Sequence, residues 1–139
     1  LADAGYLRKA VASKKKKQQN SALKEEISRE GYRILIGKNN TQNDLITTRM
    51  ASKNDLWFHV KNIPGSHVVV FCEGGAVSEE TVLKAARLAA QNSKAATSSQ
   101  VPVDYTYIKN VKKPNGAKPG MVIYTTNKTV YVNPCKEEL

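Results

Sequence analysis

The chain has 139 residues, 40% of them hydrophobic, and a formal charge of +10 from 22 Lys and Arg against 12 Asp and Glu. That length is about one domain and buries roughly 70% of its unfolded surface, so a core needs neither disulfides nor metal. The composition excludes a disordered chain, no apolar run approaches the ~20 residues of a membrane span, and the basic balance points to a polyanion, nucleic acid ahead of an anionic membrane surface.

Residues 1–30 differ from the rest. Tyr6, Leu7, Ala10 and Val11 have helical spacing, which Leu23 and Ile27 repeat weakly. Between them four consecutive lysines, Lys14 to Lys17, repel one another and carry no apolar stripe. This stretch reads as a helical arm fraying into a solvated linker, either a plain connector or a phosphate-binding arm. The first apolar stretch is short and runs into charge, so no signal peptide is expected. With no initiator Met, the chain reads as a piece of a longer protein. Cys72 and Cys135 lack a paired spacing, which fits a reduced, cytoplasmic protein and no zinc site.

Gly31 is the expected start of the compact domain. Residues 31–134 hold 13 basic and 6 acidic groups, so the excess charge is not confined to the arm. Tyr32 to Ile36 reads as a strand and Gly37 to Asn40 as a turn cluster. Thr41, with Asp44 three residues on, reads as a weak capping box opening a helix to about Ala51 that buries Leu45, Ile46 and Met50.

Residues 55–71 read as two strands joined by a turn. Leu56, Phe58 and Val60 alternate with Trp57, His59 and Lys61, the period of a half-buried strand. Ile63-Pro64-Gly65-Ser66 suits a type II turn. Parity then puts Val68, Val70 and Cys72 on the core face and His67, Val69 and Phe71 with Trp57 and His59 on the other. That second face is either covered by a helix or a recognition surface able to stack on bases.

Ser78, followed by two acids, caps the next helix, expected to reach about Lys94. Val82, Leu83, Ala86, Ala89 and Ala90 form its buried stripe, and the alanines allow close approach to a sheet. Lys84, Arg87, Gln91 and Lys94 share another face. Val101 to Val111 reads as a strand. Lys109 to Gly120 is a loop of turn residues carrying Lys109, Lys112, Lys113 and Lys118, stiffened by two prolines, with glycines that allow close approach to a ligand. Met121 to Thr125 and Lys128 to Val132 read as a closing hairpin. The sum is an α+β fold: a mostly antiparallel sheet of five or six strands with two helices on one face.

Catalytic signatures are missing. There is no GxxxxGK[ST] and no GxGxxG, and Ser66 and His67, adjacent in a strand, point to opposite faces. Asp55 and Asp104 read as turn or backbone partners. The chemistry is therefore binding: Lys109, Lys112, Lys113 and Lys118 on phosphates, Trp57, His59 or His67 stacking on an unpaired base, with Lys61 on the same face. No cofactor is expected.

Four blocks in this order, Asp55-Leu-Trp-Phe-His-Val with Ile63-Pro-Gly-Ser-His67, Ser99 to Tyr105, Val111 to Gly120, and Lys128 to Val132, resemble the NFACT-R domain, the C-terminal module of NFACT proteins (bacterial RqcH, also called fibronectin-binding protein A-like, and eukaryotic NEMF). The resemblance covers residues 31–134, with 1–30 similar to the end of the preceding coiled coil and 135–139 a tail. It implies an RNA-binding module of a ribosome-associated quality-control factor. Such factors bind obstructed large ribosomal subunits, recruit alanyl-tRNA and support C-terminal alanine tailing of stalled nascent chains. The implied partners are tRNA, large-subunit RNA and the N-terminal NFACT domain of the same parent. That domain carries the tailing motif, so this piece is not expected to act as an enzyme. Two other readings stand beside it. One is a surface module binding fibronectin or fibrinogen, since related proteins carry that name. The other is an RNA-directed enzyme using His59 or His67.

Overall fold

The computed structural model describes residues 23–134. Residues 1–22 of the arm expected over 1–30 lie outside them, and the described remainder is not helical. Lys24–Ile27 form strand β1, which pairs antiparallel with β2 (Arg33–Ile36), Ile27 opposite Arg33. The sheet therefore starts ahead of Gly31, whose φ of +97° belongs to the turn between the two strands. Weak helical spacing loses here to backbone pairing with a neighbour strand buried at Ile34, Leu35 and Ile36.

The sheet has six antiparallel strands in the order β1-β2-β4-β3-β5-β8, with β3 at Leu56–Val60, β4 at Val68–Val70, β5 at Val101–Tyr107 and β8 at Lys128–Val132. In the central hairpin Trp57 lies opposite Val69 and Phe58 opposite Val68. The expected parity holds. Phe58, Val60, Val68, Val70 and Cys72 join one core with helix α2 (Glu79–Gln91), while Trp57, Val69 and Leu35 join a second core on the other face.

The two helices thus lie on opposite faces, not on one. Helix α1 (Asn40–Leu45) runs into a π turn, Ile46–Met50, and Ile46 plugs the second core. Its cap is Asn39, whose side chain accepts from Gln42 N at 2.8 Å, not Thr41. Leu45, expected inside, is exposed. Asn43 and Thr47 are buried instead, where Gly65 O and the His67 ring supply their partners.

Helix α2 begins as expected at Ser78, which caps Thr81 N. Ala85, Ala86, Ala89 and Ala90 are fully buried against the sheet, so small side chains set the approach. Lys84 of its basic face pairs with Glu26 at 3.7 Å and donates to Ile27 O, tying β1 to the helix. The turn between β3 and β4 is not the expected type II turn. Asn62, not Gly65, has positive φ (+60°). Gly65 is needed for space, since a Cβ there would meet the Ser93 Cβ at 2.7 Å.

The end of the chain also pairs differently. After β5 a 3-10 turn (Ile108–Asn110) redirects the backbone, and β6 (Val111–Lys112) pairs with β7 (Ile123–Tyr124) in a separate ribbon. Strand β8 adds to β5, Val103 opposite Val130. Because β7 pairs with β6 and β8 with β5, the two do not form the expected hairpin.

Candidate nucleic-acid interface

Strand alternation brings Trp57 and His59 to one face of β3, and β4 delivers His67 beside them. The Trp57 and His59 rings stack at 5.8 Å and 12°, and His67 stands edge-on to both, at 5.2 and 5.3 Å. Tyr124 of β7 closes over the indole at 4.8 Å. This face is not an open platform. Trp57 and His67 are buried, under the π turn and the β6–β7 ribbon; His59 is half-buried. The apolar neighbours on that face outweigh its two imidazoles, so the fold covers it.

His67 is held from several sides. Its Nδ1 lies 2.7 Å from Thr47 Oγ1, and its backbone N–H donates to Asn43 Oδ1 at 3.0 Å. Burial, reinforced by His59, pushes its pKa down to about 3. Burial also lowers His59, against the pull of Asp104. Both rings are therefore neutral near pH 7. Since the folded pKa of His67 lies below its unfolded value near 6.5, its neutral packing stabilises the fold above about pH 6.5 and is lost progressively toward about pH 3. Unfolding titrations at about pH 6, 5 and 4 should show wild type losing up to ~1.4 kcal/mol more per pH unit than a folded His67→Gln variant. Parallel pH profiles would remove this role from His67.

Asp104 is the buried anion of this face. Its carboxylate accepts from Tyr124 Oη and Thr129 Oγ1, each at 2.6 Å, and pairs with Lys61 at 3.4 Å. It is thus a side-chain hub, not the backbone partner expected. Asp55 does bind backbone, accepting from Ser52 N and Glu73 N at 2.8 Å. Burial and then the Asp104 carboxylate raise the Tyr124 phenol well above its usual range.

The lysines divide. Lys112 and Lys118 are exposed and have no ion pair among the described residues. Lys109 is exposed, with its ammonium 5.7 Å from the Tyr107 ring centroid. Lys61 is committed to Asp104, and Lys113 to Asp44 at 2.9 Å. The Lys113 contact holds the Asp44 carboxyl below its usual range. Lys113 therefore anchors the loop to α1, with its charge already compensated. Gly120 serves the same anchoring: its N–H donates to Asp44 Oδ1 at 3.3 Å, and a Cβ there would meet Asn40 at 3.1 Å. Its close approach is to the protein's own helix. The loop is thereby pinned at two points, leaving Lys112 and Lys118 on its outer side.

A pocket of about 460 Å³ remains between ribbon and sheet, lined by His59, Trp57, His67, Tyr124, Asn43 and Met121 among others. Sequence reasoning missed Asn43 and Tyr124. Only the burial of polar positions in α1 marks the first, and that burial has no sequence signal of its own. Among the described residues no group of three His, Cys, Asp or Glu could hold a metal ion, and no helix is long and apolar enough to cross a membrane.

A model of the NFACT protein RNA binding domain matches residues 22–126. The chain belongs to this family. The NFACT RNA-binding match begins just ahead of β1. The chain is 50% identical over 136 residues to a protein named Rqc2 homolog RqcH from Bacillus subtilis (strain 168), covering 96% of this chain and 24% of that one. It is 43% identical over 140 residues to the Rqc2 homolog RqcH of Streptococcus suis (strain 05ZYH33), covering 100% and 25%. It thus spans about a quarter of the length of these curated relatives. A solved structure, the C-terminal part of the fibronectin/fibrinogen-binding protein from Streptococcus suis, superposes with a TM-score of 0.79 at 44% identity, covering 88% of this chain and 50% of that one.

Proposed function

We propose that this NFACT RNA-binding domain binds tRNA and large-subunit rRNA within a cytoplasmic, RqcH-like quality-control factor. There it supports C-terminal alanine tailing of nascent chains stalled on obstructed large subunits, acting with the parent's N-terminal domain and catalysing nothing alone. The observation that carries this is the family membership, joined to a pinned loop that holds Lys112 and Lys118 outward with uncompensated charge. Such cations displace condensed counterions from phosphates, so affinity must fall steeply with salt.

Binding of tRNA by this chain across a salt series tests the reading. Lys112→Ala/Lys118→Ala should weaken binding and flatten the log–log salt slope by about 1–2, while Lys113→Ala should act mainly through stability. Salt-insensitive binding, or a double variant that binds like wild type, would refute the phosphate role. A second reading follows from the name of the Streptococcus suis protein of that solved structure, a fibronectin/fibrinogen-binding protein. Direct fibronectin binding that persists at high salt would favour it.

A further inference from the structure

The pocket beside His59 is built for more than packing. Its floor is Trp57, and the imidazole of His59, stacked on that indole, is the more exposed ring of the pair. Among the described residues Trp57 Nε1 is the one buried side-chain nitrogen or oxygen with no hydrogen-bond partner. Native interiors satisfy nearly all such groups, but this one is sealed from solvent, so the ring open to an occupant is that of His59. Asn40 and Asn62 add side-chain amides, able to donate and accept, along the rim.

A second cleft, about 240 Å³, shares Asn40, Asn43, Pro64 and Gly65 with this pocket. It carries Lys38 and Lys94, both exposed and without an ion pair among the described residues. No Asp or Glu lines either cavity. The nearby Asp44 and Asp104 are already taken by Lys113 and by the Tyr124–Thr129–Lys61 cluster. A neutral aromatic pocket thus opens beside a cationic cleft. That division matches a nucleotide, whose flat uncharged base and anionic phosphate need these two environments side by side. The first volume is also within the range of small-ligand sites.

We propose that the pocket beside His59 receives one unpaired base of a bound RNA strand, while Lys38 and Lys94 hold the adjoining phosphate. This rests on the RNA-binding reading and adds a place and a preference to it: single strands, loops or ends over duplex, because a paired base cannot enter.

Trp57 is the only tryptophan, so its emission reports on the pocket. A labelled single-stranded oligoadenylate should bind this chain by anisotropy and change Trp57 emission; the same strand annealed to oligouridylate should leave emission unchanged. His59→Ala should weaken single-strand binding about tenfold, the scale of one stacked base. Lys38→Ala/Lys94→Ala, two exposed sites, should weaken it and flatten the salt slope by about 1. Should His59→Ala not fold, Met121→Glu on the pocket rim, against Tyr131→Glu on β8, decides: only the former should impair binding. Both residues are exposed. Binding by anisotropy with silent Trp57 emission and equal effects of the two Glu variants would overturn the pocket and leave the RNA reading standing. No RNA binding at all would remove both. An emission change with adenosine monophosphate that oligoadenylate cannot compete away would assign the pocket to a free nucleotide instead.

Discussion

Trp57→Ala should destabilise the domain by about 3–5 kcal/mol, the cost of truncating a large core aromatic. The indole is fully buried between His59, His67 and Tyr124, and it shares its core with Leu35, Ile46 and Val69. The other apolar groups on that side, Met50, Phe71, Ile108 and Val122 among them, are only partly buried, so the indole is the largest fully buried group there. Since domains have only ~5–15 kcal/mol in all, the variant should be largely unfolded or sharply labile in urea. Lost RNA binding in Trp57→Ala is therefore no evidence of stacking unless native structure is shown first. Trp57→Phe keeps most of the volume and removes the unpartnered Nε1, so it should retain the fold with a much smaller loss. Equal losses in the two variants, measured by equilibrium denaturation, would mean that packing volume is not what the indole supplies.

Asp104→Ala comes second, at about 3–5 kcal/mol, the usual cost of removing one partner from a buried charged cluster. The carboxylate joins three elements: Thr129 on β8, Tyr124 on β7 and Lys61 at the end of β3. Without it the Tyr124 and Thr129 hydroxyls lose their acceptor and β7 loses one of its ties to the main sheet, the Tyr124 packing on Trp57 remaining. Tyr124→Phe should cost less, about 1–2 kcal/mol, because Asp104 keeps Thr129 and Lys61. Denaturant unfolding of the two single variants and the double variant checks this. If the effects of Asp104→Ala and Tyr124→Phe add fully, the pair is not coupled.

Some of this was readable in advance. Period-two alternation in residues 56–60 assigned Phe58 and Trp57 to different faces, and the structure puts them in different cores. Ser78 announced α2 because a hydroxyl followed by two acids satisfies and complements the first turn. Turn chemistry misled where tertiary contacts compete with it. Pro64-Gly65 suited a type II turn, yet Gly65 is needed for its contact with Ser93, on the far side of α2. Likewise residues 121–125 looked like the partner of β8, the strand next in sequence, whereas β7 pairs back to β6 and reaches Asp104 through Tyr124.

The candidate site divides along the same line. Residue order alone establishes a basic chain with an RNA-binding family's blocks, a strand that sets an indole beside an imidazole, and a lysine-bearing loop stiffened by prolines. These are local properties, governed by side-chain alternation, φ restriction and charge count. Only the tertiary structure decides which lysines are free, because Lys113 meets Asp44 and Lys61 meets Asp104 through contacts between distant segments. It also decides that the indole face is covered and that a pocket survives beside His59, since both depend on where α1 and the β6–β7 ribbon come to rest. Burial is a property of what lands on a residue, and nothing within a few positions of Trp57 encodes that.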